Sequence, residues 1–320
     1  MDGPERGHGV DLREEHRPVT EATGPDAIGR VITALATPFL PDGSLDAEGA
    51  AALARHVVAA GSDGLVLGGT TGESPTLHGE ELWELVAAVR DAVGGTARLT
   101  VGTGTNDTAR SIERTVRATE AGADGVLVVT PYYNRPSQAG LVAHFTSVAE
   151  ATERPVLLYD IPARTGREID VDTLVTLSGV PNIIGVKDAT GRVDKAADVV
   201  RATRGAPGGF DVWSGADEVN LPLLSVGAVG VVSVAAHLAG PEIAEMVAVH
   251  TTDPVRAREL HLACMPLHRA LFLDPNPGPL KAALRARGLP AGPVRLPLVD
   301  ADDAVTGRVV AALAELEVRR

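Results

Sequence analysis

The chain has 320 residues, of which 44% are hydrophobic and 22% charged, a composition typical of a globular protein with one large domain or one domain plus an appendage. The formal net charge of −13 argues against nucleic acid or an anionic membrane as the main partner. The single cysteine, Cys264, excludes an intrachain disulfide framework. With no apolar stretch long enough to span a membrane and no signal-peptide pattern, we expect a cytoplasmic protein.

Residues 1–27 are polar and interrupted by glycine and proline, which predicts a disordered N-terminal extension. Residues 28–240 contain eight short apolar runs without polar alternation. The runs are Val31–Ala36, Leu65–Leu67, Leu99–Val101, Val126–Val129, Val156–Tyr159, Ile183–Val186, Phe210–Trp213 and Val231–Ala235. Continuous apolar runs of this length are expected for strands that are buried on both faces.

Helical patterns separate these runs, and Leu45–Ala60, which stops at Gly61, is an example. Strands that alternate with helices predict parallel βαβ units, and eight units in roughly 210 residues favour an α/β fold of the (β/α)₈ TIM barrel type. An open doubly wound sheet is the alternative. It would usually have fewer strands and a glycine-rich turn after the first, and Ala36-Thr37-Pro38 is not such a turn.

Residues 241–320 contain no clear strand and are predicted to form a small C-terminal helical region. Its predicted helices are Pro241–His250, Pro254–Phe272, Pro279–Arg287 and Asp303–Val318. Three of them begin near a proline, which is tolerated in the first turn of a helix.

In a barrel of this type the active site lies at the carboxyl ends of the strands. Of the three lysines in the chain, Lys195 lies in a polar stretch and Lys281 in a helical segment, whereas Lys187 ends a strand-like run. Partial desolvation of a lysine at that position favours the neutral amine, which is a nucleophile. The alternative is a lysine that simply extends from the strand end into solvent.

Other strand ends carry groups that suit such a nucleophile. All three tyrosines follow strands, namely Tyr132, Tyr133 and Tyr159, and so does the pair Thr70-Thr71. Phenols and hydroxyls can relay the protons that an amine needs when it attacks a carbonyl. The fork of Arg164 would suit a substrate carboxylate. Each residue alone is explained as well by loop anchoring, helix capping or a surface ion pair, but together they favour a site.

Several motifs of the chain, in the same order, resemble those of the 4-hydroxy-tetrahydrodipicolinate synthase family. They are Gly69-Thr70-Thr71-Gly72-Glu73-Ser74, Val129-Thr130-Pro131-Tyr132-Tyr133-Asn134, Leu158-Tyr159-Asp160-Ile161-Pro162-Ala163-Arg164-Thr165-Gly166, Gly185-Val186-Lys187-Asp188-Ala189, Gly230-Val231-Val232-Ser233-Val234, Asn276-Pro277-Gly278-Pro279-Leu280-Lys281 and Arg295-Leu296-Pro297-Leu298. The resemblance extends from about Ile32 to Leu298. It implies an enzyme that condenses pyruvate with L-aspartate 4-semialdehyde on the route to diaminopimelate and lysine.

The resemblance also implies roles for individual residues. Lys187 would form a Schiff base with pyruvate, and Tyr159 would carry protons to and from the adduct. Thr70 would link Tyr159 to Tyr133, which in the family comes from a neighbouring subunit.

For the substrates, the resemblance implies that Thr71 binds the carboxylate of pyruvate and Arg164 that of the aldehyde. Val232 would present its backbone carbonyl to the site beside the turn at Gly215. Family members are mostly homotetramers built from dimers, and they need neither a metal nor an organic cofactor.

The chain departs from the family pattern at a few positions. Asp160 stands where many members have asparagine. Where lysine-inhibited members have two histidines and a glutamate, this chain has Gly79, Leu82 and Arg110. An arginine would repel the ammonium group of lysine, so we expect weak or absent inhibition by lysine.

Three alternatives remain open at this stage. A related Schiff-base aldolase, such as an N-acetylneuraminate lyase or a 2-keto-3-deoxy sugar acid aldolase, would share Lys187 and Tyr159 but tends to lack Arg164. A catalytically silent paralogue would bind a keto acid without turning it over, and a barrel that binds pyridoxal phosphate is the third alternative. The helical spacing of His261, Cys264 and His268 favours a packed helix face over a metal site.

Overall fold

The computed structural model describes residues 24–318 of the chain. Eight strands form a closed barrel in which each strand pairs in parallel with the next, and the eighth pairs with the first. The strands are β1 (Val31–Ala34), β2 (Gly64–Leu67), β3 (Arg98–Gly102), β4 (Gly125–Val129), β5 (Val156–Asp160), β6 (Ile183–Asp188), β7 (Asp211–Ser214) and β8 (Gly230–Ser233). The predicted (β/α)₈ barrel is confirmed.

Helices connect the strands and surround the barrel. The helices are α1 (Pro25–Ile28), α2 (Ala47–Ala59), α3 (Glu81–Val93), α4 (Thr108–Glu120), α5 (Gln138–Ala149), α6 (Pro162–Thr165), α7 (Val171–Leu177), α8 (Val193–Ala202), α9 (Asn220–Ser225), α10 (Ala236–Val249), α11 (Pro254–Ala270), α12 (Gly278–Ala286) and α13 (Asp303–Val318). Single 3-10 turns cover Ser74–Thr76 and Asp217–Val219. None of the helices in residues 24–318 combines the length and the apolar character needed to cross a membrane.

Local sequence explains where the outer helices begin. The side chain of Asp46 accepts a hydrogen bond from the backbone N–H of Gly49 at the start of α2, and Ser137 does the same for Gly140 at the start of α5. These contacts satisfy backbone donors that have no partner within the helix. At the other end of a helix, Gly94 takes a positive φ of 55° after α3, a conformation that glycine adopts without steric cost.

Two layers of apolar side chains hold the fold together. The larger layer lies between the strands and the helices around them. The smaller layer fills the barrel, and its members include Ile32, Val66, Leu157, Tyr159 and Trp213. Because the interior is a packed core, the chemistry is confined to the end of the barrel where the loops converge.

The other end of the barrel is closed by α1, which falls partly within the predicted disordered extension, residues 1–27. Residues 1–23 of that extension lie outside the described residues. Ile28 is fully buried in the barrel core, and the indole N–H of Trp213 donates to the carbonyl of Gly29 at 3.0 Å. Burial of this apolar turn explains why residues 25–27 are ordered although their sequence is rich in turn formers.

The helix after β8 begins earlier than the predicted start at Pro241. α10 starts at Ala236, and it has a kink at Ala239, where φ is −122° and ψ is 34°. The kink accommodates Pro241, which has no N–H to donate to the helix. The boundary predicted at residue 240 therefore falls directly after this kink, where the second part of α10 begins.

Candidate active site

Lys187 and Tyr159 lie side by side at the carboxyl ends of adjacent strands. The register of β5 and β6 pairs these two residues directly. Both are almost completely buried, with 5% and 4% of their surface exposed. The ammonium nitrogen of Lys187 lies 4.0 Å from the centroid of the Tyr159 ring. The tertiary structure thus brings these two sequence-predicted residues into contact.

The three lysines differ in what surrounds their amino groups. The Nζ atom of Lys195 lies 2.5 Å from the carboxylate of Asp160, and that of Lys281 lies 2.6 Å from Glu73. Within residues 24–318, Lys187 forms no comparable ion pair, and its Nζ contacts an aromatic ring instead. An amine that is not held by a carboxylate is available for covalent chemistry. Lys187 is the lysine that meets this condition.

Gly215 leaves room for the side chain of Lys187. Its backbone N–H donates to the carbonyl of Asp188 at 2.7 Å, which holds the turn after β7 against β6. A Cβ atom at position 215 would lie 2.9 Å from Cγ and 3.1 Å from Cε of Lys187. Only glycine lets the lysine stem pass this turn without displacement.

A small pocket opens beside Tyr159 on the side of β2 and β3. Thr70 and Tyr159 line it together with the backbone of glycines 68, 69, 102 and 104. The glycines lie close to neighbouring backbone, because a Cβ at Gly102 would be 2.2 Å from the carbonyl oxygen of Gly68. The structure therefore brings Thr70 and Tyr159 to one pocket.

A chain of contacts joins Thr71 to Arg164 through Asn276, which precedes α12. The side-chain amide of Asn276 donates to the hydroxyl of Thr71 at 2.9 Å, and the guanidinium of Arg164 donates to the carbonyl of Asn276 at 3.3 Å. Thr71 and Asn276 are buried, whereas Arg164 is exposed at the mouth. Within the part of the chain that the structure describes, the buried Oδ1 atom of Asn276 has no hydrogen-bond partner. The two predicted carboxylate-binding residues therefore share one neighbour.

The loop that carries Thr70 and Thr71 is fastened to the C-terminal helices by buried charge. Glu73 adopts a left-handed backbone conformation with φ of 53°, and its carboxylate pairs with the fully buried Lys281. The same carboxylate accepts the backbone N–H of Arg295 at 2.9 Å. Burial lowers the pKa of Lys281, and the charge of Glu73 opposes that change.

Two other predicted site residues occupy different surroundings. Tyr133 is 91% exposed and has a positive φ of 70°, so its side chain extends away from the pocket of its own chain. Val232 lies in β8 and is buried with the side chains that fill the barrel. One chain thus holds Thr70 and Tyr159 in one pocket but does not bring Tyr133 to them.

The positions at which the resemblance predicts altered lysine inhibition lie on α3, α4 and the loop before α3. Leu82 is buried, and its Cδ1 atom would lie 2.6 Å from a Cβ at Gly68. Gly79 has a positive φ of 51°, and Arg110 is exposed on α4. Burial lowers the pKa of Arg114, and the nearby charge of Arg110 adds to this effect.

The helix face with His261, Cys264 and His268 is packed. Cys264 is buried, and the two imidazole rings have centroids 6.2 Å apart. Among the residues that the structure describes, no group of three or more histidine, cysteine, aspartate or glutamate side chains is arranged to hold a metal ion.

Sequence reasoning missed Lys195 and the contacts of Asn276. Lys195 lies in a polar stretch of the sequence, but it is 97% buried, on the inner face of α8 together with Ala196 and Val199. The spacing of Lys195 and Val199, four residues apart, is the signal for an inward-facing lysine. Asn276 belonged to a recognised motif, but no local pattern pointed to its contact with Thr71.

The chain is similar to known proteins over about 90% of its length. A profile described as the Dihydrodipicolinate synthetase family matches residues 27–316. The 4-hydroxy-tetrahydrodipicolinate synthase of Moorella thermoacetica is 50% identical over 90% of this chain and 98% of its own. The crystal structure of dihydrodipicolinate synthase from Cyanidioschyzon merolae with lysine bound is 43% identical, with a TM-score of 0.87 over 91% of this chain and 99% of that chain. The chloride-inhibited dihydrodipicolinate synthase of Acinetobacter baumannii complexed with pyruvate is 37% identical, with a TM-score of 0.87 over 90% of this chain and 99% of that chain.

Proposed function

The chain belongs to the dihydrodipicolinate synthetase family, and we propose on this basis that it condenses pyruvate with L-aspartate 4-semialdehyde to give 4-hydroxy-tetrahydrodipicolinate. It is an enzyme of the lyase class that acts through a Schiff base, in the biosynthesis of diaminopimelate and lysine. The observation that carries the proposal is the amine of Lys187, buried against Tyr159 without a carboxylate partner among the described residues.

The first step is the formation of the Schiff base. The neutral amine of Lys187 attacks the ketone carbon of pyruvate, and the ketone oxygen leaves as water to give an imine. Tyr159, whose ring contacts the amine, delivers a proton to the departing oxygen. Loss of a proton from the methyl group then converts the imine into an enamine. Thr70, in the same pocket, relays these protons between Tyr159 and Tyr133 of a neighbouring subunit.

The second step joins the two substrates. The enamine carbon bonds to the aldehyde carbon of the semialdehyde, the aldehyde oxygen takes up a proton, and the enamine double bond shifts to restore the imine with Lys187. The amino group of the semialdehyde then attacks the imine carbon, which closes the ring and releases the amine of Lys187.

The substrate carboxylates are held on one side of the pocket. Thr71 binds the carboxylate of pyruvate, and Arg164 binds that of the semialdehyde through its guanidinium fork. The contacts of both residues with Asn276 support this arrangement. Val232 presents its carbonyl to the adduct, and Gly215 leaves space for the lysine stem.

We assign the active form to a homotetramer that is a dimer of dimers, in the cytoplasm. The exposure of Tyr133 supports this assembly, since a tyrosine that extends from its own chain can complete the site of another. A mixing experiment tests it. Tyr133→Phe and Lys187→Met variants are each expected to be nearly inactive, and a refolded mixture should regain activity if Tyr133 acts in a neighbouring subunit. Failure of the mixture to regain any activity would contradict the shared site.

The function itself is tested by trapping the Schiff base. Borohydride treatment in the presence of pyruvate should add one reduced pyruvate to the protein, and peptide mapping should place it on Lys187. Protein treated without pyruvate and the Lys187→Met variant are the controls. A coupled assay with aspartate 4-semialdehyde then identifies the second substrate, since a sugar-acid aldolase would accept only sugar aldehydes. No adduct on folded wild-type protein would refute the proposal.

A further inference from the structure

The outer face of the β5–β6 pair carries charge directly behind Tyr159 and Lys187. The register that aligns those two residues also aligns the residues that follow them, Asp160 and Asp188. Successive side chains of a strand point to opposite faces, so these two carboxylates point away from the barrel interior, towards the helices. Both are almost fully buried, at 1% and 2% exposure.

Lys195 of α8 holds one of these carboxylates. Its Nζ atom lies 2.5 Å from Oδ2 of Asp160 and 2.9 Å from Oε1 of Glu168, which precedes α7. The backbone N–H of Ile169 donates to the same Oδ2 atom at 3.2 Å. Lys195 therefore links β5, α8 and the segment before α7 at a single buried point.

The second carboxylate is satisfied locally. Asp188 accepts hydrogen bonds from the backbone N–H of Thr190 at 2.8 Å and from its hydroxyl at 2.6 Å. It therefore does not compete for Lys195, whereas Oδ1 of Asp160 is buried and has no hydrogen-bond partner among residues 24–318. The position of Asp160 thus depends on Lys195 more than on any other charged group.

We propose that Lys195 is a positioning residue for the condensation. By pairing with Asp160 it holds the ends of β5 and β6 in the alignment that places the amine of Lys187 over the ring of Tyr159. This inference rests on the proposed function. A strand is stiff between neighbouring residues, so a shift of Asp160 moves Tyr159, the residue before it. Small displacements of groups that react with each other are enough to cost a large part of the rate.

The test compares three variants with the wild type in the coupled assay, with activity expressed per pyruvate-trapped site. Lys195→Met removes the charge and keeps the length of the side chain. Asp160→Asn keeps the shape of the carboxylate, and the double variant removes both charges. Arg192→Met is the matched control, because Arg192 contacts the same Glu168 at 3.5 Å but is exposed.

We expect Lys195→Met to lower kcat about tenfold or more and to change KM for either substrate by less than about threefold. The rate of borohydride trapping on Lys187 should fall by a similar factor. The double variant should be more stable than Lys195→Met, since it leaves no unpaired buried carboxylate at position 160, but its kcat should stay low because the pair is still missing. Arg192→Met should behave like the wild type.

The pH dependence of kcat gives a second readout. This measurement needs only the isosteric Asp160→Asn variant, so it remains possible if Lys195→Met fails to fold. Burial raises the pKa of Asp160 to about 6, Lys195 opposes this change and Asp188 adds to it. Glu168, beside Lys195, is the other ionisable group that faces this position, and the exposed Arg192 lies beyond it. As pH falls through about 6, Asp160 takes up a proton and releases Lys195, so wild-type kcat should fall, and Asp160→Asn should lack that decline.

Two outcomes would overturn the inference. One is a Lys195→Met enzyme that is less stable to heat but keeps wild-type kcat per trapped site. The other is an unchanged acid side of the pH profile in Asp160→Asn. Failure of the wild type to trap pyruvate would instead refute the proposed function, so the two failures are distinguishable.

Discussion

At the scale of single residues, Gly215 illustrates how a missing side chain serves the site. A Cβ there would come within 2.9 Å of Cγ of Lys187 and within 3.0 Å of Cβ of Ala189. We expect Gly215→Ala to displace the lysine stem and to slow pyruvate trapping about tenfold. Gly95→Ala is the matched control, because a Cβ at Gly95 would meet no atom of the described residues within 4 Å. Equal trapping rates in the two variants would show that the stem tolerates the methyl group.

His237 sets a pH dependence of stability. Its Nδ1 atom donates to the carbonyl of Val234 at 2.8 Å, and its Nε2 atom accepts the backbone N–H of Ala36 at 3.1 Å. Protonation of Nε2 would place its N–H against the backbone N–H of Ala36, which now donates to it. Burial lowers the pKa of His237 to about 4.

Because the folded pKa of His237 lies below the unfolded value, its contribution to stability is complete above pH 6.5 and is lost as pH falls through about 4. The difference between the unfolded and folded pKa values of His237 corresponds to about 3 kcal/mol in the free energy of unfolding. We expect the free energy of unfolding, from urea titrations at pH 7.5 and pH 4.5, to fall less in His237→Gln than in the wild type. The free energy of unfolding of the control variant His78→Gln, which changes an exposed residue in the loop before α3, should fall as much as that of the wild type. An equal fall in the His237 variant would contradict this assignment.

At the scale of secondary-structure elements, α12 determines the position of the loop after β2. Lys281 of α12 pairs with Glu73 of that loop, and its Nζ also donates to the carbonyl of Pro293 at 2.8 Å. A buried ion pair adds little stability compared with apolar residues, but loss of one partner leaves an uncompensated charge. The helix therefore controls the loop that carries Thr70 and Thr71.

Replacement of Lys281 tests this connection. We expect Lys281→Met to lower the free energy of unfolding by about 3–5 kcal/mol, because Glu73 remains buried without its cation. Arg256→Met, which breaks an exposed pair with Glu245, should change stability little. Urea unfolding at pH 7.5 compares the stability of the two variants. An equally small loss of stability in both would contradict this prediction and mean that Glu73 finds another partner or reaches water.

At the scale of the whole molecule, the predicted weakness of lysine inhibition follows from charge and packing near the barrel mouth. Arg110 is an exposed cation at the position where the family resemblance predicts the ammonium group of lysine, and Leu82 is buried against Gly68 and offers no polar atom. We expect initial rates with both substrates to be unchanged by sub-millimolar L-lysine. An Arg110→Glu variant should gain some sensitivity, and inhibition of the wild type at sub-millimolar lysine would show the prediction to be wrong.

The sequence alone determined the barrel, the approximate positions of its strands and the residues that follow them. Each of these depends on short-range patterns, such as the continuous apolar run Ile183–Val186 that ends at Lys187. Side chains at the carboxyl ends of parallel strands converge in any closed barrel, so the site could be assembled from the order of the strands. The contact between Tyr159 and Lys187 follows directly from that rule.

Tertiary structure alone decided which charged groups are buried and what they contact. Lys281 meets Glu73 across 208 positions of sequence, and Asn276 meets Thr71 across 205. Lys195 and Asp160 are 35 residues apart, and the helical spacing that turns Lys195 inward does not identify its partner. The physical reason is that burial of a charge depends on the partner supplied by another element. Such partners are defined only when the helices have packed around the barrel.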